Sequence, residues 1–277
     1  MHADGLRQVA DIAADAEAAD GASPLDEATW LGLRHRGDGI AAWVEPDGFA
    51  LVIEDELSLV VRPSKRRHGT GRRLLGQALA ELPEGHGPLH AWSHAAHPAA
   101  ERLAAEHGFE KFRELWVMRR PTSDPVGPVI VPDDVTVRRY RPNDREELLR
   151  VNAAAFAAHP EQGHMSADDL AERMAEPWFD ADGLIVASRG RQLLGFHWTK
   201  RHSPELGEVY VVGIDPAAQG TGLGKALTRA GLRHLADRGT QEVLLYVEAD
   251  NERAVSLYSR DGFTHDAKDT HVMYRRA

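Results

Sequence analysis

Gly220, Gly222 and Gly224 stand where a β-branched run gives way to a helical pattern, and this junction has the residue types and spacing for ligand chemistry. The run is Val209, Val211, Val212 and Ile214, closed by Asp215 and Pro216. Apolar positions at helical spacing resume from Lys225 with Ala226, Leu227 and Leu232. Glycines at such a junction leave backbone N–H groups uncovered at the positive end of a helix, which suits a phosphate or pyrophosphate. The string is not a P-loop, because Gln219 and Ala226 stand where that pattern needs a glycine and a hydroxyl. A dinucleotide fingerprint fails at Lys225, where it needs its third glycine. The alternative for these residues is an ordinary glycine-rich strand-to-helix turn.

A second constellation lies downstream, beyond the strand-like Glu242 to Val247: Asn251, Ala254, Tyr258, Gly262 and Phe263 spell N-x-x-A-x-x-x-Y-x-x-x-G-F. With Gln219-x-x-Gly222-x-Gly224 upstream, the pair of motifs resembles the GNAT acetyltransferase superfamily. The resemblance implies acetyl-CoA as co-substrate and no covalent enzyme intermediate. It places cofactor contacts at Val212, Gly213 and Ile214, at Gln219, Gly220, Thr221, Gly222, Leu223, Gly224 and Lys225, and at Asn251, Glu252, Arg253, Ala254, Val255 and Ser256. It also puts Tyr258 near the sulfur, where a phenol, protonated at neutral pH, can hand a proton to a departing thiolate. The alternative for Tyr258 is a helix tyrosine packed on the core. Transfer to an amine needs a base, because a free α-amine with a pKa of roughly 7.7–8.0 is largely protonated at pH 7. By the family pattern Glu208 is that base, directly or through a water; otherwise it is a charged strand end in solvent. Backbone N–H groups around Val212 would polarise the thioester carbonyl.

The elements that must position these residues occur twice. Compared with itself, the chain repeats at an offset of 153 in the loop, with Gly69 against Gly222, and 154 beyond it, with Phe109 against Phe263. Pro63 falls on Pro216, Leu74 on Leu227, and Arg66-x-x-Gly69-x-Gly71 on Gln219-x-x-Gly222-x-Gly224. The expected architecture is therefore an α/β fold, a mixed α+β sheet with helices on both faces, in two tandem GNAT acyl-CoA N-acyltransferase domains. Their expected bounds are 1–120 and 135–277. The segment 121–134, with four prolines, is expected to be a stiff linker. In the second copy the expected order is strand 135–140, helix 146–156 capped by Asn143 and Asp144, helix 165–174 capped by Ser166, and strands 184–188 and 193–200. The glycine segment, helix 226–237, strand 242–247, helix 252–260 and strand 271–275 follow. In the first copy, helices are expected over 10–19 and 26–33, with Ser23 as a possible cap. The first copy departs from the pattern in its chemistry: Ala104 replaces Tyr258, His97 replaces Asn251 and Asp55 replaces Glu208. Its counterpart cofactor residues are Leu59, Val60, Val61, Arg67, His68, Gly69, Thr70, Gly71 and Arg72. This predicts a domain that keeps the loop and lacks the proton donor.

Composition narrows the partners. A net charge of −10 argues against nucleic acid, whose phosphates need a basic face. The absence of cysteine excludes disulfides, thiolate metal sites and a cysteine nucleophile. Neither a signal-peptide pattern nor a membrane-length apolar run is present, so no membrane partner and a cytoplasmic location are expected. His90, His94 and His97 could converge on a metal only from a helix, and they fall on a strand and its exit, so no metal is expected. The six tryptophans are scattered, as core residues would be.

The strings F-A-A-H-P-E-Q-G, G-F-H-W-T-K and G-E-V-Y-V-V-G-I-D-P, with the degenerate first copy, resemble the mycothiol synthase family of actinobacteria over essentially the whole chain. That resemblance implies acetyl transfer to the cysteinyl amine of a glucosamine–inositol pseudo-disaccharide. It gives Glu208 as base, Tyr258 as acid, and Glu27, Glu161, Lys200 and Tyr246, with Glu208, as substrate contacts; Glu27, Glu161 and Lys200 could individually be solvated surface charges. Glu27 then serves the substrate from the first domain, and Glu27→Ala is expected to raise KM for the aminothiol. Two domains in one chain lead to the expectation of a monomer. Two other functions fit the motifs: a GNAT acting on another small amine or a protein N-terminus, and a non-catalytic acyl-CoA-binding sensor.

Overall fold

The computed structural model describes residues 3–35, 39–83, 85–157 and 162–277. The chain runs α1 (Ala3–Asp20), α2 (Glu27–His35), β1 (Ile40–Glu45), β2 (Gly48–Ile53), β3 (Glu56–Val61), α3 (Thr70–Glu81), β4 (Leu89–Ser93), α4 (Pro98–Glu106) and β5 (Glu110–Pro121). It continues as β6 (Thr136–Arg139), α5 (Arg145–Ala155), α6 (Ala167–Ala175), β7 (Leu184–Arg189), β8 (Gln192–Arg201), β9 (Leu206–Ile214), α7 (Leu223–Asp237), β10 (Glu242–Glu248), α8 (Glu252–Arg260) and β11 (Thr264–Arg276). Two compact units result. The first is Met1–Trp116, Glu248–Asp250 and Asp266–Ala277; the second is Val117–Val247 and Asn251–His265.

These units do not follow the bounds 1–120 and 135–277 expected from sequence. The C-terminal strand belongs mostly to the first unit, because β11 pairs antiparallel with β4, Val272 opposite Ser93 and Tyr274 opposite Ala91. β5 likewise divides at Trp116 and Val117. The segment 121–134 is pinned to its own unit rather than standing free. Thr122 N donates to Gln241 O at 2.8 Å, and Arg229 and Arg233 of α7 donate to the carbonyls of Pro128 and Gly127. A Cβ on Gly127 would lie 2.6 Å from Arg229 Cζ, so a side chain there would push that guanidinium aside.

In each unit a strand buried on both faces sets the layers, as its unbroken apolar run requires. In the first, Phe49 and Leu51 of β2 pack with Val9, Ile12 and Ala16 of α1, while Ala50 meets Leu74 and Ala78 of α3 and Val52 joins Leu75, Leu89 and Phe109. In the second, Leu184 and Val186 of β7 pack with Leu148 and Val151 of α5 and Leu170 of α6, and Ile185 and Ala187 with Leu223 and Leu227 of α7. Each leucine buried this way contributes about 1.5–3 kcal/mol. The repeat positions Leu74 and Leu227 are both fully buried.

Side chains cap some of the helices, whereas α3, α5 and α7 start without a side-chain cap. Ser166 and Asp169 form a capping box on α6. The expected cap of α5 is corrected: Asn143 and Asp144 lie in a short 3-10 turn before it, Asp144 makes no side-chain bond to α5, and Arg138 holds its carboxyl below the usual aspartate range. At α2 the expectation is corrected: Asp26, not Ser23, meets the free N–H of Thr29 at 2.7 Å, and the Ser23 hydroxyl donates to Leu25 O. Among the described residues no helix is long and apolar enough to cross a membrane.

Candidate active site

The β8–β9 hairpin builds the site in the second unit. Its register sets Lys200 opposite Glu208, bringing together two residues eight apart in sequence. Between Trp198 opposite Val211 and Thr199 opposite Val209 the register shifts, so Tyr210 is an extra residue on β9, a bulge that re-aims its neighbours. Lys200 Nζ lies 4.6 Å from the ring centroid of Trp178 and 5.2 Å from that of Tyr210, so its cation sits against two aromatic faces. Trp178, Tyr210 and Trp198 contact one another edge to face or tilted, with centroids 5.0 to 5.9 Å apart.

Glu208 is 5% exposed, which removes the reading of it as a charged strand end in solvent. Its Oε2 lies 2.6 Å from Nε2 of His202. β10 pairs with β9 in parallel over three residues, Glu242 to Leu244 against Leu206 to Glu208. The pairing ends at Leu244 opposite Glu208. Tyr246 stands on β10 two residues past Leu244 and is exposed.

The glycine loop follows as the sequence requires. Asp215 closes β9 and caps a 3-10 turn, accepting from Ala217 N at 2.9 Å and from Arg150 Nη1 at 2.6 Å. Gln219 ends that turn in extended conformation, Gly220 and Gly222 take φ of 82° and 88°, and α7 starts at Leu223 with no side-chain cap. Its first-turn N–H groups therefore present a ready anion site. At α8, Asn251 accepts from Ala254 N at 3.1 Å, so the asparagine of the motif is a helix cap. Tyr258 is half-buried, meets Phe263 edge to face at 5.9 Å, and burial pushes its phenol up to about 12. Its helix is held by Arg229 of α7, which donates from Nε and Nη2 to Asp261 Oδ1 at 3.0 and 2.7 Å.

The first unit repeats the loop backbone. Arg66 is extended like Gln219, and Gly69, with φ 85° and ψ −5°, starts α3 as Gly222, with φ 88° and ψ −2°, starts α7. Here lies a cavity of about 820 Å³ lined by Leu59, Arg66, Gly71, Leu103, His97 and Phe109 among others. This cavity is away from Glu208 and Tyr258, neither of which lines it. Arg66 is held by Asp20 at 2.6 Å through both nitrogens, and Arg72 by Glu106. Ala104 is buried at the Tyr258 position. Asp55 sits before β3, not within it, with its carboxylate mostly exposed and 3.0 Å from His90 Nδ1. The three histidines weighed as metal ligands engage separate partners: His90 with Asp55, His94 with His271, and His97 with Ala99 N as a helix cap.

Of the expected substrate contacts, Lys200, Glu208 and Tyr246 belong to the second unit, Glu27 opens α2 in the first, and Glu161 lies outside the described residues. Sequence reasoning missed His202, Trp178 and Tyr210. The signal for His202 was a histidine six residues before Glu208 with Ser203 and Pro204 between them, the composition of a tight strand connection.

A profile of the Acetyltransferase (GNAT) family matches residues 149–263. A mycothiol acetyltransferase from a Nocardioides species is 60% identical over 99% of this chain and 98% of its own length. One from Catenulispora acidiphila is 46% identical over 95% and 93%. Among solved structures, a tandem GNAT protein from the clavulanic acid biosynthesis pathway covers 98% of this chain and 94% of its own, with TM-score 0.72 at 18% identity. A GCN5-related N-acetyltransferase from Sphaerobacter thermophilus covers 97% and 91%, with TM-score 0.68 at 22% identity. Those two likenesses concern the fold; the near-full-length identities go further, and by them the chain belongs to the mycothiol acetyltransferase family, built on the GNAT fold.

Proposed function

We propose that this protein transfers the acetyl group of acetyl-CoA to the cysteinyl amine of a glucosamine–inositol pseudo-disaccharide, the acetylation that completes mycothiol. The observation that carries the chemistry is the buried Glu208 carboxylate, cross-strand from Lys200 at the point where β9 and β10 cease to pair. The substrate is supported by the curated relatives.

In this reading the α7 N-terminus and Gln219 to Lys225 hold the pyrophosphate, and β9 backbone N–H groups near Val212 polarise the thioester carbonyl. Glu208 takes a proton from the substrate ammonium, and the freed nitrogen attacks the carbonyl carbon. The C–S bond breaks, the thiolate takes the phenolic proton of Tyr258, and the second amine proton, released as the amide forms, restores the phenol through solvent. A phenol raised to about 12 is protonated at neutral pH. Lys200, against Trp178 and Tyr210, and Tyr246 contact the polyhydroxylated part of the substrate. The counterpart loop of the first unit, Leu59 to Val61 with Arg67 to Arg72, retains a cradle for acetyl-CoA without a proton donor.

Mass spectrometry of the protein with acetyl-CoA and the cysteinyl pseudo-disaccharide tests this. One acetyl group on the amine, with simple amines left unmodified, is expected; absence of the acetylated product contradicts it.

A further inference from the structure

We infer that His202 is a positioning residue: its imidazole holds Glu208 in the orientation that receives the substrate's proton. This rests on Glu208 being the base. A carboxylate oxygen only accepts, so at 2.6 Å the Nε2 of His202 carries the hydrogen and donates it to Glu208 Oε2. Oε1 is then the oxygen left for the ammonium. Glu208 takes the proton on Oε1 while Oε2 stays bonded to His202, and the proton leaves from Oε1 to solvent after the product departs.

The hairpin connection is built to fix the imidazole. His202 N donates to Leu206 O at 2.9 Å, which ties its backbone into register with the start of β9. The next residue, Ser203, accepts on Oγ from the N–H groups of Glu205 and Leu206, each at 3.1 Å, and donates to the Glu205 carboxylate at 3.0 Å. Three hydrogen bonds from one serine lock a short turn that would otherwise be among the softer parts of the unit. His202 is thus held from the backbone side, with its side chain 34% exposed and Glu208's 6% exposed. An oriented base with a third group behind it is the arrangement that lets a nucleophile or proton acceptor act from one rotamer. The first unit shows the contrast: Asp55 also meets an imidazole, that of His90, but its carboxylate is 61% exposed on a turn.

The test is steady-state kinetics of the full chain with His202→Ala, His202→Gln and Glu208→Gln, with circular dichroism as the folding check. His202→Ala is expected to lower kcat about 10- to 100-fold, below the roughly 10²–10⁴-fold of losing the base itself, with KM for acetyl-CoA unchanged. His202→Gln, whose amide N–H can donate in place of Nε2–H, is expected to recover much of the loss. In the Glu208→Gln background, His202→Ala adds nothing. A normal kcat in His202→Ala with an inactive Glu208→Gln overturns the inference and leaves the base in place. So does an equal loss in the Gln and Ala variants, or a change confined to KM for the amine. Full activity of Glu208→Gln overturns the reading beneath it.

Discussion

The two glycine loops have the same backbone and different side chains around them. Residues 63–72 and 216–225 both run from a proline-led 3-10 turn through an extended residue to a left-handed glycine that starts a helix. At the third position of comparison, Gly220 takes φ 82° and its counterpart Arg67 takes φ 62°, a conformation that costs a non-glycine residue about 1–2 kcal/mol. The first loop therefore keeps the shape even where its sequence disfavours it. Arg66 and Arg72 of that loop, however, are bonded to the unit's own carboxylates, Asp20 and Glu106, and Ala104 stands at the place of Tyr258. The lesson is that the fold depends on glycine geometry and buried leucines, whereas the chemistry depends on a few side chains the fold does not need.

The largest expected effect tests that split directly. Tyr258→Phe, which keeps the contact with Phe263, should lower kcat about 10²–10⁴-fold with KM for acetyl-CoA little changed, read by thiol release. An unchanged kcat would return Tyr258 to a packing role.

Next in size is a packing contrast. Ala78 in α3 is matched in the repeat by Gly231 in α7, because the buried His197 ring occupies the space a methyl would need: a Cβ on Gly231 would lie 2.0 Å from His197 Cε1. Gly231→Ala should destabilise the second unit by about 1–3 kcal/mol, seen as a lower denaturant midpoint. No shift in midpoint would mean that the imidazole yields freely.

The loops themselves separate at smaller magnitude. Gly222→Ala puts a side chain at φ 88° beside the uncapped helix start and should raise KM for acetyl-CoA several-fold; Gly69→Ala, at φ 85°, should change it less. Equal effects would give both loops a share in turnover.

The smallest effect is in acid. Arg150 beside Asp215, with the backbone N–H of Ala217, holds that carboxyl below its usual value near 3.9. A lowered folded pKa means that the stabilisation is complete above the unfolded value and is lost as pH falls through the folded one. The first loop has Arg62 at the matching position, paired with Asp15. Below about pH 4, Asp215→Asn should therefore narrow its stability gap from the parent chain, measured by denaturation at pH 3 and pH 7. A gap that stays constant with pH contradicts it.

Much of this was legible in the chain. The repeat, the loop and the α8 motif are local patterns of glycine φ, capping and helical spacing, and these are decided within a few residues. The pairing of β11 with β4 was not legible, because only Thr270, Val272 and Met273 of Thr264–Arg276 are buried, and β4 lies over 170 residues away. The bulge at Tyr210 and the His202–Glu208 bond also come from register, which alternation alone does not fix. Asp26 displaced Ser23 as a cap because the helix begins at Glu27, one residue later than the expected start.

The central claim is that the second unit alone performs the transfer. The direct measurement is acetylated product formed by the full chain carrying Glu208→Gln and Tyr258→Phe together, with the first unit untouched. Product no faster than in a protein-free control is expected. Turnover within an order of magnitude of the parent chain would contradict the account and move the chemistry to the first unit or to other residues.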